Sequence, residues 1–116
     1  MIINHYATPE EVARAVAKEA FVRPSGWAHI AVSGGSTPRL LFELLAEEPL
    51  CSAVRWDKVH LYWVDERCVP PTDPESNYGM TKAALLDHVP IPEDQVHRIR
   101  GEADPEREAK DYCWLV

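Results

Sequence analysis

Two short segments of this chain carry the residue types from which chemistry can be built. Ser33-Gly34-Gly35-Ser36-Thr37-Pro38 places a glycine pair between an apolar run and a helix start. Glycine adopts backbone conformations closed to other residues and lets an anion approach main-chain N–H groups. The helix start leaves several N–H groups without internal partners and carries a partial positive charge, so Ser33, Gly34, Gly35, Ser36 and Thr37 are candidates to hold a phosphate. Asp65-Glu66-Arg67 follows a second apolar run. Arg67 can bind phosphate or carboxylate through paired hydrogen bonds, and Asp65 can orient a hydroxyl or take part in proton transfer. Glu66 is expected to point elsewhere.

Each segment also has a plainer reading. A glycine pair makes tight turns in many strand-to-helix connections, and an acid-base cluster at a strand end is commonly a surface ion pair worth little energy. Comparing helix starts favours chemistry for the first segment. Thr8-Pro9-Glu10-Glu11 fills its positive end with two carboxylates of its own, whereas Thr37-Pro38-Arg39-Leu40 has none until Glu43 and places Arg39 in the first turn. Neither GxxxxGK[ST] nor GxGxxG is present, which disfavours ATP and NAD.

The elements that must position these segments follow from periodicity. Thr8 as cap, Pro9 in the first turn and Glu11 in a capping box predict a helix continuing through Val12, Ala15, Val16 and Ala20. Residues 23–26 break it, and residues 27–32 predict a buried strand. The second helix carries Leu40, Leu41, Leu44 and Leu45 as its stripe and closes at Pro49, before an irregular stretch. Residues 59–64 predict another strand, a polar loop leads to a helix with Met80, Ala83, Ala84 and Leu85, residues 96–99 form a brief third strand, and Pro105 opens a last helix. Such alternation implies βαβ units in a parallel α/β sheet with helices on both faces, and both candidate segments then lie at the carboxyl edge where ligands of open sheets bind. Few strands are visible, so the sheet is expected to be incomplete, with an exposed edge and face that invite self-association.

The 116 residues, 46% hydrophobic and 27% charged, have the balance of one globular unit or part of one. A net charge of −7 opposes binding to nucleic acid or anionic membrane, so an anionic ligand must be captured by local donors. Cys51, Cys68 and Cys113 form no CxxC pair, which suggests neither a disulfide framework nor a metal site and fits a reduced cytoplasmic setting. No apolar run approaches the roughly 18 residues of a membrane helix. His29 and His60 fall within predicted strands, His5, His88 and His97 are scattered, and all five are expected to be structural or solvated.

Taken together, Ser33 to Pro38, Trp63-Val64-Asp65-Glu66-Arg67 and Ser76-Asn77-Tyr78 resemble the 6-phosphogluconolactonase family, within the superfamily shared with glucosamine-6-phosphate isomerases. Arg67 favours the lactonase branch, since the isomerases usually carry a different residue at that position. The resemblance implies a three-layer parallel-sheet sandwich and cofactor-free, metal-free hydrolysis of 6-phosphoglucono-δ-lactone in the oxidative pentose phosphate pathway. It implies that Asp65 and Arg67 take part in catalysis, and that Ser33 to Thr37 with Arg67 hold the phosphate. The family's catalytic histidine belongs to a later Gly-Asp-Gly-His-type segment that these residues do not contain. The expectation is therefore an amino-terminal part, residues 1–116, of a single domain without its carboxy-terminal half, inactive alone. The alternatives are a glucosamine-6-phosphate isomerase or deaminase, and a non-catalytic sugar-phosphate-binding fragment.

Overall fold

The computed structural model describes residues 8–113; His5 and the apolar ending Trp114-Leu115-Val116 lie outside the described residues. Thr8 opens the first helix as predicted, because its backbone is extended and its hydroxyl accepts the N–H of Glu11 at 3.2 Å. Helix α1, Pro9–Val16, widens into π-helical turns over Ala17–Val22. Ala13, Ala17 and Phe21, four residues apart, form its buried stripe.

Three strands, β1 (Ala28–Val32), β2 (Val59–Trp63) and β3 (Val96–His97), form a parallel sheet in the order β1-β2-β3. All three predicted strands are present, each shorter than its predicted span. Trp27, 58% exposed, stays outside β1 with the Lys58 ammonium 4.7 Å above its ring. Val64, 62% exposed, lies one residue beyond β2.

Helix α2 spans Ser36–Leu45, and the stretch expected to be irregular contains a short helix α3, Leu50–Ala53, capped by Pro49. The face α2 buries is centred on Phe42 and Leu45, with Leu41 and Leu44 beside it. Leu40, expected in that stripe, is outside the core because it lies off the 3.6-residue period of Leu41, Phe42 and Leu45. Helix α4, Asn77–Thr81, continues in π-helical turns through Leu86, and α5 spans Pro105–Cys113.

Alternation sorts the sheet into two unlike faces. Ala28, Val32, Val59, Leu61 and Trp63 join Phe21, Phe42, Leu45 and Leu85 in one core. Burying each of the large side chains stabilises the fold by about 1.5–3 kcal/mol. The opposite face carries rings in register, His29 beside His60 and Tyr62 beside His97. His60 Nδ1 and His97 Nε2 lie 2.9 Å apart, and the two rings are nearly parallel at 5.2 Å. Burial, then the neighbouring His60 and His29, hold His97 below the usual histidine value, against the opposing pull of Asp94.

Two side chains fix β3 to β2. The buried Gln95 amide donates to the carbonyls of Trp56 and Val59 at 3.1 and 2.6 Å. At the other end the strands separate, and the Tyr112 hydroxyl enters the gap, accepting the Trp63 N–H at 2.8 Å and donating to the His97 carbonyl at 2.6 Å. The chain leaves β2 for Asp65-Glu66-Arg67 at this split.

Candidate anion-binding site

The site begins where β1 ends. Gly35 has φ 111°, a conformation side chains rarely adopt, and it serves as the N-cap of α2. Gly34 is required for a different reason: a Cβ there would collide with the Asn77 side-chain oxygen and come within 2.7 Å of its Cγ. With glycine at the cap, no side chain caps α2 and no acidic residue occupies its first turn. Its leading N–H groups therefore keep their capacity for an anion.

The acidic-basic segment builds the opposite wall. Glu66 does point elsewhere. Its Oε1 accepts the N–H groups of Asn77 and Arg67 at 2.7 and 2.8 Å, and its Oε2 accepts the Tyr78 N–H at 3.0 Å and the Ser76 hydroxyl at 3.1 Å. Ser76 Oγ in turn accepts the Gly79 N–H at 3.0 Å. The start of α4 is thus closed by the protein's own oxygens. The loop that sets Arg67 rests on Gly101, where a Cβ would strike the Arg67 carbonyl and lie 2.5 Å from that of Val69.

Asn77 joins the two walls. Its amide donates to Asp65 Oδ1 at 3.0 Å and to the Asp65 carbonyl at 3.3 Å, while its oxygen lies against Gly34. Composition and spacing gave no reason to single out Asn77; only its place in the Ser-Asn-Tyr motif marked it. Its role depends on a contact between residues far apart in sequence.

A cleft of about 360 Å³ lies between these walls, lined by Gly35, Ser36, Arg39, Arg67, Glu75 and Asn77 among others. The Arg67 guanidinium is 3.3 Å from Glu75 Oε2, and both side chains are mostly exposed. Of the expected site residues, Gly35, Ser36 and Arg67 share this cleft, and Gly34 meets its Asn77 wall. Asp65 is bound to Asn77, while Ser33 and Thr37 line a neighbouring apolar groove between α1 and α2. Arg39, noted in the sequence as the first-turn residue of α2, also lines the cleft. Among the described residues no group of three or more His, Cys, Asp or Glu is arranged to hold a metal. Among the described residues no histidine lines the cleft.

The parallel α/β sheet opens at its carboxyl edge on an uncapped helix start and two arginines, donors of the kind that suit an anion. Residues 6–116 match the model of the glucosamine-6-phosphate isomerase/6-phosphogluconolactonase family, and the chain belongs to that family. It is 51% identical over 84 residues to a 6-phosphogluconolactonase of Haemophilus influenzae, a match covering 72% of this chain and 36% of that protein. It superposes on the crystal structure of the devB protein with a TM-score of 0.90 at 38% identity, over 95% of this chain and 47% of the other. A monomeric glucosamine-6-phosphate deaminase, at 21% identity and a TM-score of 0.83 over 100% of this chain and 50% of its own, shares the fold. The chain thus spans about half, or less, of the relatives it matches.

Proposed function

We propose that these residues form the phosphate-holding part of a protein that hydrolyses 6-phosphoglucono-δ-lactone to 6-phosphogluconate. The observation that carries this reading is the convergence of the uncapped α2 start with Arg39 and Arg67 in one cleft. The 6-phosphate would lie on the N–H groups of Ser36 and Thr37, with Arg67 supplying paired, charge-assisted hydrogen bonds. By the resemblance, Arg67 also favours the lactone over an aminosugar phosphate, since the isomerases usually carry a different residue at that position.

Hydrolysis adds water to the lactone carbonyl, breaks the ring C–O bond and needs a base for the water proton and a partner for the developing oxyanion. Asp65, tied to Asn77 at the cleft wall, would orient groups around that centre. With no histidine among the described residues that line the cleft, the chain by itself is expected to bind sugar phosphate and to leave lactone hydrolysis at its spontaneous rate.

Calorimetric titration with 6-phosphogluconate tests the reading. Arg67→Ala should weaken binding about 10- to 100-fold, the value of one charge-assisted bond or pair of bonds. Equal affinity in the variant, or equal affinity of the wild type for glucosamine 6-phosphate, would sink the lactone assignment.

A further inference from the structure

Among the described residues that line the cleft, one carries a carboxylate. We propose that this residue, Glu75, is a built-in competitor for the anion: it occupies Arg67 until a phosphate reaching both Arg67 and the α2 start displaces it. The inference rests on the reading of the cleft given above and adds which residue sets its selectivity.

Of the other lining residues, the start of α2 at Gly35 and Ser36 and the guanidinium groups of Arg39 and Arg67 favour negative charge. A carboxylate in such surroundings takes the place an anionic ligand would take. The backbone of Glu75 is held there firmly. Its N–H donates to Asp73 Oδ1 at 2.8 Å, the Asp73 N–H donates to the Pro70 carbonyl at 3.0 Å, and the Ser76 N–H donates to the Asp73 carbonyl at 3.0 Å. The next residue is the Ser76 cap of α4. Among the described residues the carboxylate itself is held only through Arg67, at 3.3 Å, with 68% of the Glu75 side chain and 60% of the Arg67 side chain exposed.

An exposed ion pair of this kind is weak and easily broken. An anion touching Arg67 alone gains about as much as Glu75 already provides. An anion that spans Arg67 and the helix start gains more, so the pair filters out ligands that make only one of the two contacts. When Glu75 swings away, its charge still lies close to the bound anion and continues to oppose it.

The test is titration of the full chain with inorganic phosphate at low and high ionic strength. Glu75→Gln keeps the backbone N–H and the side-chain length, and it should tighten phosphate binding about 3- to 10-fold at low salt. The gain should shrink toward none at about 0.5 M salt, as expected for exposed charges. Glu93→Gln removes an equal charge from the turn before β3, at the amino end of the strands, and should leave affinity unchanged. Unchanged or weaker binding by Glu75→Gln, with phosphate binding intact in the wild type, overturns the proposal and leaves the cleft reading standing. Equal gains in both variants also overturn it, because net charge alone would then explain them. Phosphate binding by neither wild type nor Glu75→Gln defeats the cleft reading and this inference together.

Discussion

The starts of α2 and α4 face each other across one cleft wall and solve the same problem in opposite ways. Each begins a helix whose first N–H groups have no partner within the helix. At α4 the protein fills them itself: the Glu66 carboxylate takes the N–H groups of Asn77 and Tyr78, and Ser76 takes that of Gly79. At α2 a glycine with φ 111° stands at the cap, and no side chain accepts there. The α1 start, capped by Thr8, sides with α4. A helix start closed by side chains serves the fold; the one left uncapped beside Arg39 and Arg67 can serve a ligand.

The largest effect should come from opening the closed start. Glu66→Ala removes the acceptor for four hydrogen bonds, including the one from the Arg67 N–H. Urea unfolding should show a loss of about 3 kcal/mol, with Glu66→Gln losing roughly half as much because one oxygen remains. Arg67→Ala should change stability by less than about 0.5 kcal/mol while weakening phosphate binding, since its side chain is exposed. If the two variants exchanged these signatures, the division between a structural start and a binding start would be wrong.

A smaller effect should follow from closing the uncapped start. Ser36→Asp places a carboxylate in the first turn of α2, which should add about 0.5 kcal/mol of stability through the helix dipole. The same charge should weaken phosphate binding about 10-fold or more, because it occupies the field the anion needs. Stability and affinity moving in opposite directions would mark this start as reserved for a ligand. Loss of both would mean that Ser36 is structural.

How much of this was legible in the sequence depended on the distance over which each feature is encoded. The glycine turn, the absence of a carboxylate early in α2 and the Thr8 cap are local and appear in the structure, although α2 is capped by Gly35, two residues before the start expected at Thr37. The first two strands were legible from their apolar runs, though not their ends, because Trp27 and Val64 are apolar yet exposed. The Asn77 bridge, the Glu66 cap and the Gly101 support were not legible from composition or spacing. Each joins residues 10 or more apart, through contacts that exist only after the chain has folded. Glu66 was rightly separated from Arg67, but nothing in the sequence showed that its destination was a helix start.

The smallest expected effect lies away from both helix starts, and it tests whether they alone govern the response of the molecule to charge. Among the described residues no histidine takes part in the α2 or α4 start, whereas the sheet face stacks His97 on Tyr62 and places it 2.9 Å from His60, with Asp94 also acting on it. One shared proton satisfies the bond between the two imidazoles; protonating both puts two cations side by side. Because His97 titrates below the ordinary value of about 6.5, the unfolded chain binds its proton more readily than the folded chain does. Stability from this group is therefore complete above about pH 6.5 and falls as the pH drops from there through the lower folded value. Thermal unfolding between pH 7.5 and 5 should show this shallow decline, and His97→Gln should flatten it. The stability difference between Ser36→Asp and wild type should stay the same at both ends of that range, because it arises at a helix start with no histidine. A decline that survives His97→Gln would place the acid sensitivity elsewhere, and a Ser36→Asp difference that varied with pH would tie the α2 start to the ring layer.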